Sequence, residues 1–99
     1  MTNTFRAIAH LKANTGKNQA LKEALLALIE PTRNEPGCLE YILYEDHLTA
    51  GIFYMSEEFE NDAAFDAHIQ SDHFQNFAKM TDELLVDPVN VVRMNRVSN

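Results

Sequence analysis

Two neighbouring β-type segments constrain this chain more than any other feature. Cys38 to Asp46, CLEYILYED, and Ile52 to Phe59, IFYMSEEF, are rich in β-branched and aromatic residues. The short connection His47 to Gly51 joins them, so the pair reads as a hairpin. Their apolar side chains fall at both parities: Leu39, Tyr41 and Leu43 on one face, Ile42 and Tyr44 on the other. An antiparallel sheet with one wet face alternates more cleanly. A chain of 99 residues has helices enough for one sheet face only. The other face is therefore expected to meet a second copy, in a sheet-on-sheet homodimer.

The flanking segments complete the topology. Phe5 to Ala13 alternates, with Phe5, Ala7, Ala9 and Leu11 opposite Arg6, Ile8, His10 and Lys12, and reads as a strand. Asn14 to Gly16 is a turn in which Thr15 or Gly16 caps the next helix. From Lys17, an amphipathic helix carries Leu21, Ala24, Leu25, Leu28 and Ile29 on one stripe, and Pro31 ends or kinks it. Asn34 to Gly37 is a break, with Gly37 free to take a positive φ. Asn61 or Asp62 starts a helix with Ala64, Phe65, His68 and Ile69. Ser71 or Asp72 restarts it with Phe74, Phe77, Ala78, Thr81, Leu84 and Leu85, and Asp87-Pro88 stops it. Val89 to Val97 is the last strand. The order β-α-β-β-α-β is the α+β, ferredoxin-like arrangement: one domain over residues 1–99, a four-stranded antiparallel sheet with helices on one face.

Charge narrows the function. Eight Lys and Arg, scattered along the chain, stand against fifteen Asp and Glu, which disfavours nucleic acid and anionic membranes as partners. The one cysteine, Cys38, cannot form an internal disulfide, and thiol-ligated metal sites lack ligands. With neither a signal-like apolar region nor a membrane-length run, a cytoplasmic protein is expected.

Chemistry is expected in the stretch Glu57 to Phe74, EEFENDAAFDAHIQSDHF. Glu57 shares parity with Phe53, Met55 and Phe59, so its carboxylate is either paired or lines a pocket; a register slip of one would put Glu58 there instead. His68 is either a pocket residue or a structural histidine bonded to a carbonyl or carboxylate. His73 begins the next helical piece, where the helix dipole favours the uncharged ring a general base needs; a surface cap is the alternative. The break at Ser71-Asp72 argues against the two histidines acting together, and no ligand spacing along the chain suggests a metal site. Tyr41 orients a substrate hydroxyl or fills the core, Met55, Met80 and Met94 read as core filling, and Cys38 has no base near it in sequence.

Across nearly its whole length the chain resembles the antibiotic biosynthesis monooxygenase (ABM) domain family of dimeric α+β barrel proteins. The resemblance rests on the turn Thr15-Gly16, TRNEPGC at Thr32 to Cys38, Tyr41 and Leu43, Glu57-x-Phe59, and AHIQSDHF at Ala67 to Phe74. It implies oxygenation of an electron-rich aromatic substrate, a quinol or anthrone, by O2 without metal or organic cofactor. For such an enzyme, the residues themselves suggest a pocket with Tyr41, Phe59, Phe65 and Phe74 as substrate contacts and His68 or His73, or Glu57 through water, as base. Phe59 stands where the family usually has Trp, so no indole donor is available there. Ala9 and Ala78 stand where the haem-degrading branch has Asn and His, which argues against haem degradation. A second reading is an isomerase or a non-catalytic small-molecule binder on the same scaffold.

Overall fold

The computed structural model describes residues 4–99; Met1 to Asn3 lie outside the described residues. Strands β1 (Phe5–Lys12), β2 (Cys38–Glu45), β3 (Ile52–Phe59) and β4 (Asn90–Met94) form one antiparallel sheet in the order β2-β3-β1-β4. This is the ferredoxin-like topology that the β-α-β-β-α-β order dictates. Helices α1 (Asn18–Leu26) and α2 (Ile29–Arg33) form the first crossover, and α3 (Asp62–Gln70), α4 (Asp72–Ala78) and α5 (Thr81–Leu84) the second.

The helix stripe packs as its period requires: Leu21, Leu25 and Leu28 are buried, with Ala24 and Ile29 against the same core. The helix breaks ahead of Pro31, at Ala27-Leu28, so proline sits in the first turn of α2, where its missing donor costs nothing. Lys17 is the residue before α1 and makes no side-chain cap; Gly16, at φ 78°, serves instead the turn closed by Lys17 N–H donating to the Asn14 carbonyl (2.9 Å).

Gly37 corrects its expectation. Its φ is not positive; glycine is required because a Cβ there would overlap the Cβ of Ala64 on α3. That close approach lets the α2–β2 turn reach the second crossover. The parity of β2 also changes at its start. The register shifts between Cys38 and Glu40, so Cys38 pairs with Phe59 and Tyr41 with Glu57, while Leu39 is pushed outward and is 53% exposed. The bulge is what sets Tyr41 opposite Glu57.

The helix-covered face of the sheet carries Phe5, Ala7, Ala9 and Leu11 from β1 and Phe53, Met55, Glu57 and Phe59 from β3, all buried. Met80 is 39% exposed and Met94 lies on the uncovered face, so of the three methionines only Met55 fills the core. That uncovered face brings together Ile8, Ile42, Tyr44, Tyr54 and Val92, around Arg6, Glu40 and Ser56. Arg6 Nη1 donates to Glu40 Oε2 (2.6 Å), and Ser56 donates to the same oxygen (2.6 Å). These bonds hold the Glu40 carboxyl below its usual range. Among the described residues no helix is long and apolar enough to cross a membrane.

Candidate functional site

The site lies between the sheet and the second crossover. Its hub is His68, in the last turn of α3 and 1% exposed. The helix ends there because Ser71 adopts an extended backbone and serves both helices at once. Its hydroxyl donates to the His68 carbonyl (2.6 Å) and accepts from Phe74 N–H, capping α4 (3.3 Å). The break turns the chain so that the His73 ring comes within 6.1 Å of the His68 ring, centroid to centroid. The break that by spacing argues against the pair is what brings the two rings together in the fold.

Both imidazoles converge on a carboxylate that the sequence does not single out. Glu35 Oε2 lies 2.9 Å from His68 Nδ1 and 2.6 Å from His73 Nε2. Glu35 sits in the α2–β2 turn, its N–H donating to Thr32 O (3.0 Å) and its carbonyl accepting from Cys38 N–H (3.1 Å). The only signal in the sequence was an acid directly before Pro36-Gly37, which reads as turn chemistry. Among the described residues, the buried Glu35 Oε1 has no hydrogen-bond partner. Accepting from His68 Nδ1–H, the Glu35 carboxylate leaves Nε2 as the nitrogen with a free lone pair.

Aromatic rings surround His68: Phe59 at 5.0 Å, Phe74 at 5.1 Å, Tyr41 at 5.4 Å and Phe65 at 6.2 Å between centroids. Burial in this cage lowers the His68 pKa, opposed by its bond to Glu35. A ring held uncharged near neutrality is the form that accepts a proton. Phe65 also stacks on Phe5 (3.9 Å), with the Arg93 guanidinium 4.4 Å over the other ring's centroid.

Glu57 is buried on the inner face, whereas Glu58 points outward and accepts from Thr4 (2.7 Å), so the register does not slip. Burial, and then the charge of Glu35, raise the Glu57 pKa to about 7. Burial and the Glu57 charge push the Tyr41 phenol upward in turn, which keeps it a neutral hydrogen-bond donor. The Cys38 thiol is also raised, first by burial and then by Glu35, which leaves it protonated and a poor nucleophile. The rings of Tyr41, Phe59, Phe65, His73 and Phe74 thus cluster about His68, Glu35 joins the two imidazoles, and Glu57 sits opposite Tyr41 in the sheet.

The profile of the family described as "Antibiotic biosynthesis monooxygenase" matches residues 4–80. The chain belongs to that family. Among the relatives, "Putative monooxygenase Rv0793" of Mycobacterium tuberculosis is 36% identical over 92% of this chain and 89% of its own length. "Putative monooxygenase YcnE" of Bacillus subtilis is 32% identical over 86% of this chain and 90% of its own. A Synechocystis relative, "Uncharacterized protein sll1783", is 39% identical over 71% of this chain, which spans half the length of that protein. The crystal structure of PA3566 from Pseudomonas aeruginosa superposes with a TM-score of 0.92 at 34% identity, covering 99% of both chains. By family the chain is an ABM protein, and its fold is the fold of its ABM-family neighbours.

Proposed function

We propose that this chain is a cytoplasmic, cofactor-independent monooxygenase that oxidises a small electron-rich aromatic, quinol- or anthrone-like, with O2. The observation that carries the reading is the buried His68 imidazole, caged by aromatic rings with its Nδ1 2.9 Å from Glu35 Oε2. Nε2 takes a phenolic proton from the substrate, and the resulting anion is electron-rich enough to pass one electron to O2. Superoxide and the substrate radical combine at carbon to give a hydroperoxide. Loss of water from it leaves a carbonyl, with one oxygen atom of O2 in the product and the other in water. The apolar cage of Phe59, Phe65 and Phe74 excludes bulk water from the anion. Tyr41 supplies a neutral donor to a substrate oxygen. Uptake of O2 with a reduced naphthoquinol or anthrone is expected well above autoxidation. A panel of such substrates with no acceleration would remove the reading.

A second reading draws on a specific feature: Glu35 joins two imidazoles, and a second buried carboxyl, Glu57, lies near enough to feel its charge. Such a set suits proton transfer in an isomerase acting on a small oxygenated metabolite, or polar capture of a ligand without turnover. Turnover or binding of the ligand with no O2 consumed distinguishes both from oxygenation.

We infer further that the working form is a homodimer joined through the uncovered sheet face. Apolar residues lie bare there, Tyr44 at 53% and Val92 at 49%, and Val91, on the opposite face of edge strand β4, is 44% exposed. A strand apolar and open on both faces is short of a cover that a second chain supplies. Light scattering at micromolar concentration is expected to give twice the monomer mass; a clean monomer would remove this inference.

A further inference from the structure

The oxygenation chemistry leaves part of the site unused. A base needs one imidazole and one orienting carboxylate oxygen, yet Glu35 Oε2 holds two imidazoles while its buried Oε1 finds no partner among the described residues. Glu35, His68 and His73 place one donor atom each so that all lie within 4.8 Å of one another. Two imidazole nitrogens and a carboxylate form a borderline donor set, suited to zinc, cobalt or nickel more than to magnesium or calcium. Bonds of about 2.0–2.2 Å put tetrahedral donors roughly 3.3 Å apart, so small side-chain rotations close the set on an ion. The donors come from three separate pieces of chain: the α2–β2 turn, the end of α3 and the start of α4. The idle Oε1 offers a second carboxylate contact. His73 is 24% and Glu35 16% exposed, which gives an ion a way in and room for a water ligand.

We propose that Glu35, His68 and His73 form a binding site for a zinc-class divalent cation, and that its occupancy switches His68 from proton acceptor to proton donor. In the free site Nδ1 carries the ring proton, donated to Glu35, and Nε2 carries the lone pair. A cation bound at Nδ1 takes the lone pair of that nitrogen, so the ring proton moves through solvent to Nε2. His73 shifts its proton from Nε2 to Nδ1 in the same way, and no net proton is released. His68 Nε2 then has a proton to give and no lone pair with which to take one. The binding half stands on the ligand geometry alone; the regulatory half rests on the proposed role of His68 as base.

The test uses tag-free, chelator-treated full-length protein titrated with Co2+. One ion per chain is expected, with the intense visible bands of four- or five-coordinate cobalt, displaced by Zn2+ and accompanied by a higher melting temperature. His73→Ala and Glu35→Gln, each folded by its own melting curve, should weaken binding tenfold or more, while His10→Ala and His47→Ala leave it unchanged. Weak octahedral bands only, or equal affinity in His73→Ala, would overturn the site. The switch is read without turnover: nitrogen-correlated NMR of the His68 ring should move its proton from Nδ1 to Nε2 on adding Zn2+, and an unmoved proton overturns it. Where O2 uptake with a quinol is established, Zn2+ should abolish it and chelator restore it; stimulation by Zn2+ overturns the switch. Absence of O2 uptake with every quinol removes the oxygenase reading and leaves the cobalt and NMR results to decide the site.

Discussion

Replacing Glu57 with glutamine is expected to make this protein more stable above neutral pH, by about 3 kcal/mol at the upper limit, and to leave it nearly unchanged near pH 4. The carboxyl is buried on the helix side of β3, and burial followed by the Glu35 charge raises its pKa to about 7 from 4.5. In the unfolded chain it titrates near the ordinary value. Below about pH 4.5 both states are protonated and the group contributes no slope. As pH rises, the unfolded state releases its proton first, while the folded state holds on until about 7. Folding stability therefore falls across that window, by about 1.4 kcal/mol for each pH unit between the two pKa values, and levels off above it. Glutamine has the shape of the protonated acid and nothing to titrate, so the variant keeps the stability that the wild type loses. Urea denaturation at pH 5 and pH 8, at one fixed protein concentration, measures the difference. Parallel changes in wild type and variant would show that Glu57 is not the group responsible.

The same residue shows what a sequence discloses about a site. That Glu57 faces inward follows from a period of two and the apolar company of Phe53, Met55 and Phe59, and the structure agrees. The β-α-β-β-α-β order is likewise legible, because strand alternation and helical stripe differ in period and Pro31, Gly37 and Pro88 punctuate them. Leu39 escaped that logic: a bulge inserts one residue and reverses parity upstream, and no residue type announces it. Glu35 escaped for another reason. It lies 33 residues from His68 and 38 from His73, in a turn whose Pro and Gly explain themselves locally. Only the close packing of Gly37 on Ala64 brings that turn to the histidines. The His68–His73 pair is hidden from helix spacing because a helix break lies between the two residues. Ser71 replaces one rotation rule with another, and that new angle is tertiary information.

Removing the His68 ring should cost the oxygenation reaction a factor of about 10² to 10⁴ in kcat/KM, the usual worth of a positioned general base. His68→Ala also empties a volume walled by Tyr41, Phe59, Phe65 and Phe74, so its melting curve belongs beside the kinetics. Added imidazole should restore part of the rate if the ring acts as a base, since the emptied cage has its shape. Glu35 acts through His68 and makes a sharper test of the same idea. Its hydrogen bond raises the His68 pKa against the lowering effect of burial. Glu35→Ala therefore shifts the acidic limb of the pH–rate profile to lower pH as well as reducing the rate. Glu35→Gln should do more damage at neutral pH, because a side-chain amide can donate to Nδ1 and drive the ring proton onto Nε2, where the base must be free. A merely structural glutamate would lower stability and leave the profile's shape alone. A profile that does not move in either variant would break the link between Glu35 and the base, and with it the proposed role of His68.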